Sequence, residues 1–130
     1  MTITLSGVPP SLNRFAGREN TREYRDTKDT WTRLAWAGAR AAGAGAMPPP
    51  EKALVTITYH FPDHRRRDPD NYCGKLLLDG LTKARAIRDD SFDHISLLLR
   101  QGPCDGKART VIRIESIGEA DDKMTEEDEP

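Results

Sequence analysis

Cysteine is scarce in this chain. Cys73 and Cys104 are the only two, and neither lies in a C-x-x-C pair or near a spaced set of histidines. That excludes a disulfide framework and a structural zinc site. Long apolar runs are missing as well: no stretch approaches the roughly 18 residues needed to cross a bilayer. No basic segment followed by an apolar stretch opens the chain, so no signal peptide is expected. The expectation is a soluble, cytoplasmic protein with no membrane contact. Apolar content is modest at 36%, yet 130 residues with a few clear apolar runs suffice for one core and leave no room for a second domain.

Positive charge is what the body of the chain has in excess, although the net charge of -1 hides it. From Glu115 onward eight side chains are acidic and only Lys123 is basic, so residues 1–114 hold 19 basic against 13 acidic groups, an excess of six. A positive body suits a polyanion such as nucleic acid, though charge alone describes long-range attraction and no chemistry. Beyond Ser116 apolar residues almost vanish, so 1–116 is read as the folded domain and 117–130 as a disordered acidic tail.

Thr alternates with Ile3 and Leu5 over Met1–Ser6, a strand pattern ended by Gly7, Pro9 and Pro10. Ser11–Asn20 is a polar loop. Tyr24, Trp31, Leu34, Ala35, Gly38, Ala41 and Ala42 recur at helical spacing, which predicts an amphipathic helix from Tyr24 to about Ala42. The Gly and Pro run 43–50 stops it. Ala53–His60 alternates β-branched residues as a strand does. Asn71 to about Ala84 predicts a second helix, with Lys75, Asp79 and Lys83 at i,i+4 steps. His94–Arg100 and Ala108–Glu115 predict two strands, and the Gly- and Pro-containing segment 101–107 between them suits a hairpin. The expected fold class is α+β: one small domain, order β-α-β-α-β-β, a four-stranded mixed sheet with two helices.

The stretch with chemical content is Arg65-Arg-Arg-Asp-Pro-Asp-Asn71, followed one helix later by Asp89-Asp90. Pro69 biases Asp68 toward an extended backbone, and Asp70 falls at a strand-to-helix junction. If the second helix returns the chain to the same end of the sheet, Asp89 and Asp90 join Asp68 and Asp70 in an all-oxygen pocket. Hard oxygen donors suit magnesium or manganese rather than zinc. A bound ion would relieve carboxylate repulsion and could activate water against a phosphodiester. Lys75 would add positive charge to the transition state, and Arg65, Arg66 and Arg67 would grip flanking phosphates.

Plainer readings stand beside these. Asp-Pro-Asp-Asn is a common turn and helix-start composition, and local pattern alone favours a capping role for Asp68 or Asp70. Asp89-Asp90 reads equally as a solvated turn, the Arg run as an exposed loop, and Lys75 with Asp79 as a one-turn pair. His60, His64 and His94 receive no role. Trp31 and Trp36 read as core or subunit-contact residues. A calcium loop starting at Asp68 fails, because Tyr72 and Cys73 occupy the positions that need an oxygen ligand and a glycine.

Taken in order, Pro9-Pro-Ser-Leu-Asn-Arg14, Arg65-Arg-Arg-Asp-Pro-Asp-Asn71, Lys75, Asp79-Gly-Leu81 and Asp89-Asp90 make the chain resemble the RusA family of Holliday junction resolvases over residues 3 to about 115. The resemblance implies a compact α+β homodimer that binds four-way DNA junctions and nicks two strands symmetrically with magnesium, in recombination and repair. It implies Asp68, Asp70 and Asp90 as metal-binding carboxylates, Asp89 as a partial ligand or supporting residue, and Lys75 as the catalytic lysine. Asn13, Arg14, Asn71 and the three arginines are expected on DNA. The family pattern places the lysine four residues after the second aspartate, where this chain has Gly74. A bulge or a later helix start is expected to absorb the extra residue. The competing expectations are a branched-DNA-binding protein without cleavage and a metal-dependent phosphoesterase acting on small substrates.

Overall fold

A computed structural model describes residues 1–17 and 21–118. The expected acidic tail therefore lies almost wholly outside the described residues. The elements are β1 (Thr2–Ser6), a 3-10 turn (Leu12–Phe15), α1 (Arg22–Ala41), β2 (Ala53–His60), a second 3-10 turn (Pro69–Asn71), α2 (Leu78–Lys83), β3 (Ile95–Gln101) and β4 (Arg109–Ser116). They form a mixed α+β domain whose four-stranded sheet has the order β1-β4-β2-β3.

Alternation in β2 decides the centre of the sheet. Ala53, Val55, Ile57 and Tyr59 are buried on one face, and in the antiparallel register with β4 Val55 lies opposite Ile114, Ile57 opposite Ile112 and Tyr59 opposite Thr110. Ile3 pairs with Ile112 and Leu5 with Thr110 from β1. Both helices cover this face, with Ala35, Ala39, Leu77 and Leu81 joining the same core. Leu54, Thr56, Thr58, Leu98 and Val111 line an open cleft on the other face. Thr21 caps α1 by accepting a hydrogen bond from the Tyr24 amide (3.3 Å), which closes one of the free N–H groups at the helix start.

Two expectations are corrected. β3 and β4 do not form a hairpin: β3 runs parallel to β2, β4 runs antiparallel to it, and β2 lies between them. The 101–107 segment passes over the end of β2 instead. Gly102 donates to the Tyr59 carbonyl (2.9 Å), and the buried His60 ring donates through Nδ1 to the Pro103 carbonyl (2.8 Å). A side chain at Gly102 would collide with that ring, so the crossing needs glycine.

The second helix is also much shorter than Asn71–Ala84, beginning only at Leu78. Gly74 is the cause. It adopts φ +86, a left-handed value that interrupts a right-handed helix, and a Cβ there would fall 2.8 Å from Ile57 Cδ1. The chain is laid flat on β2 as turns before α2 begins.

Where α2 crosses α1 the approach is closest at Gly80. A Cβ at that position would overlap the Thr32 carbonyl and crowd Ala35 and Trp36. Because that obstacle is backbone, Gly80→Ala is expected to lower the unfolding free energy by about 1 to 3 kcal/mol, the usual cost of overpacking. Urea denaturation measures it, and an unchanged midpoint would contradict so close a crossing.

Candidate functional site

The segment from Asp68 to Asp79 is held by its apolar members, and its polar side chains are placed as a result. Tyr72 packs edge-on against both Tyr59 (5.7 Å between ring centroids) and Phe61 (5.0 Å). Leu76 is buried with Phe15 and Tyr24 in a second small cluster, and Leu77 is fully buried in the main core. Lys75, between these anchors, is exposed, with Nζ 5.6 Å from the centre of the Tyr24 ring. It stands on the turn that precedes α2, directly after Gly74.

Two of the clefts that border this segment include Lys75. In one, Pro9, Pro10 and Leu12 of the N-terminal loop lie against Asn71, Cys73, Gly74 and Lys75. In the other, Asp90 lies with Lys28, Cys73, Lys75 and Asp79. Asp90 therefore returns to the side of the lysine, and Asp70 stands three residues ahead of Cys73. Asp68 is elsewhere: it lines a cavity with Phe61, Tyr72 and Arg100, and its Oδ1 pairs with Arg66 (3.2 Å). Asp68 makes no side-chain cap at the 3-10 turn. Asp70 is exposed within that turn, and Asp89 is half-buried beside exposed Asp90.

The donor set fits a hard divalent cation in kind, since every candidate is a carboxylate. It does not converge as the side chains stand: among the described residues no group of three His, Cys, Asp or Glu is placed to hold one ion. Segment and segment meet, but the three carboxylates do not close into the single pocket the spacing suggests. Separation spares them mutual repulsion. Of the candidate ligands Asp90 shares a cleft with Lys75, Asp89 is adjacent to it, Asp70 is exposed on the 3-10 turn, and Asp68 is paired with Arg66.

The arginine run divides into two kinds. Arg67 is 11% exposed, pairs with Asp63 (2.8 Å), donates to the Asp63 and Arg65 carbonyls and lies 4.4 Å over the Phe61 ring. It braces the loop. Arg65 and Arg66 are 79% and 89% exposed, so these two present charge to solvent. Asn13 is exposed on the first 3-10 turn, and Arg14 there pairs with Glu23 (2.7 Å). His94 Nδ1 donates to the Glu51 carbonyl (2.9 Å), a structural contact like that of His60. Trp31 packs against both clusters, whereas Trp36 is partly exposed beside Arg40.

Two features escaped the sequence reading. Phe92, two residues after Asp90, is 97% exposed, and Tyr59, Phe61 and Tyr72 form an aromatic group beside Asp68. The Tyr-His-Phe run at 59–61 was the available signal, since its aromatics share one strand face. The Tyr59 hydroxyl is pushed well above the ordinary phenol range, chiefly by burial, so it stays neutral. Compared with protein-family models and with curated proteins, the chain matches none. No helix among the described residues is long and apolar enough to cross a membrane.

Asp63 is the electrostatic pin of the loop. Hydrogen bonds from the Arg65 amide and the Arg65 side chain, reinforced by Arg67, lower its carboxyl to about 2. Because the folded value lies below that of an unfolded chain, about 3.9, the contribution is complete above that value and is lost as pH falls through about 2. Carboxyl NMR titration is expected to find a midpoint near 2 for Asp63, rising only part of the way to the ordinary value in Arg65→Ala, which removes the guanidinium but keeps the amide hydrogen bond and Arg67. An ordinary midpoint in the native protein would break this account.

Proposed function

We propose that this chain is a divalent-metal-dependent, structure-selective endonuclease that nicks branched DNA such as a four-way junction and acts as a homodimer. One observation carries the reading. The Asn71–Asp79 segment is bordered by Pro9, Pro10 and Leu12 on one side and by Asp90 on the other, so motif pieces scattered over the sequence lie about a single stretch of chain. The excess positive charge of residues 1–114 supports a polyanionic partner.

Asp70 and Asp90, with Asp89 and Asp68 drawn in, are the side chains that would hold magnesium, or manganese in its place. Such an ion supplies an activated water and neutralises charge on a phosphoryl oxygen. The remaining work falls to the chain itself. Lys75, kept in place by the burial of Leu76, offers an ammonium to the crowded negative charge of a five-coordinate phosphorus. Arg65 and Arg66 reach phosphates through forked hydrogen bonds, while Asn13, Arg14 and Asn71 extend the contact along the strand. Arg67 acts indirectly, by fixing the loop that carries them. A two-fold dimer matches a junction with two equivalent strands, and the open sheet face around Leu54, Leu98 and Val111 offers it apolar surface.

The test is strand nicking of a synthetic four-way junction in magnesium, with linear duplex as control. Asp70→Asn is expected to lose more than about 100-fold in nicking rate, beyond what disturbing a mere supporting residue costs, while junction affinity is kept or improved because repulsion toward phosphate falls. Lys75→Met is expected to bind and cut poorly. If the native protein binds junctions and never nicks them, it is a binding protein. If it turns over small phosphoesters and ignores junctions, it is a phosphoesterase.

A further inference from the structure

The ends of β2 and β3 and the 61–72 loop border a half-open cavity of about 70 Å³. Its aromatic wall is built before any ligand arrives: the Tyr59 and Phe61 rings stack at 5.8 Å with 24° between planes, and Tyr72 abuts both edge-on. Arg67 lines it too, clamped over Phe61 and tied to Asp63. Leu99 contributes an apolar surface, and the exposed Arg100 and Gln101 stand where β3 ends. Asp68 is part of the same lining.

The geometry points to a receptacle for one unpaired nucleobase of a DNA strand. A slot that presents the half-buried Tyr72 ring and the Arg67 guanidinium, backed by the buried Tyr59 and Phe61, favours a flat ring, since every base has a face that stacks on aromatic side chains or guanidinium planes. An aliphatic occupant would strip water from Arg67 and Gln101 and return no hydrogen bond. A base edge carries donors and acceptors, and the Gln101 amide offers both in return. The volume is far below the roughly 300 Å³ of a drug-sized site, which admits the edge of one ring and leaves the sugar and phosphate outside, near Arg66 and Arg100. That the base comes from a strand rests on the endonuclease reading; the base site itself does not.

The probes are octathymidylate, an equally charged octamer with abasic sugars at every position, and thymidine 5′-monophosphate. Each is titrated into the full chain, without divalent metal, while the amide resonances of Tyr59, Tyr72 and Leu99 and the Gln101 side-chain amide are followed by NMR. Octathymidylate is expected to shift these signals, and the abasic octamer to bind without shifting them. Leu99→Phe, which fills the cavity, is expected to weaken octathymidylate about tenfold, the scale of one lost stacking contact, and to leave abasic binding unchanged. Gln101→Ala, at a surface position that does not threaten folding, is expected to weaken it several-fold. Equal shifts from both octamers, or none from either, would overturn the proposal. The monophosphate binding as tightly as octathymidylate would replace a strand with a free nucleotide as the source. No cleavage enters this measurement, so failure to nick junctions would end the endonuclease reading and leave this result standing.

Discussion

Contact between Gly74 and Ile57 governs where everything else on this surface lies. Without a side chain, Gly74 lets the segment leaving the acidic turn press onto the core face of β2. Its left-handed backbone then turns the chain so that Leu76 and Leu77 go into two different apolar clusters. One small residue thereby ties the N-terminal loop, the central strand and the lysine-bearing turn into a unit. Any larger residue would meet both steric overlap and backbone strain at the same position. Lys75 and Cys73 flank that glycine and inherit their placement from it.

Electrostatics on this face follows from which charges are already spent. Asp63 draws two of the three neighbouring arginines onto itself, and the deeper of the two becomes a wall rather than a ligand-binding arm. Asp68 is drawn toward Arg66. Asp70 remains exposed on its own turn, and Asp90 lines a cleft with Lys75, Cys73 and Asp79. This is the low-repulsion arrangement for carboxylates without a cation.

Much of this was legible in the chain because it depends on period. The alternation in β2 and the 3.6 spacing in α1 place both elements within two residues of where they lie. The Leu-rich run at 76–81 correctly marked buried chain but not its conformation, since Leu76 and Leu77 bury as well from turns as from a helix. Gly74 was visible as a departure in spacing, yet whether a glycine is merely tolerated in a helix or ends it depends on the Ile57 side chain beneath, a contact that local sequence does not contain. The strand order was hidden for a similar reason. A Gly- and Pro-rich connection suits a hairpin and a crossing over a neighbouring strand alike, and the deciding bonds, from Gly102 and His60, span the sheet. The carboxylates were legible as a list of candidates; whether their side chains converge was not.

Topology then explains why two different surfaces border one loop. β2 and β3 are parallel, so both strands deliver their carboxyl ends to the same edge, and a chain leaving such ends must splay outward before it can return. Crevices of this origin are common ligand sites in open sheets. Here the splayed chain is the 61–72 loop, and the space left beneath it is the aromatic cavity. The return path, 84–94, must bring the chain back to the opposite end to start β3 beside Ala53, and Asp90 lies on that path. A single crossover between parallel strands therefore carries the arginines and Asp68 to one side and Asp90 to the other, with the Asn71–Asp79 segment spanning the interval.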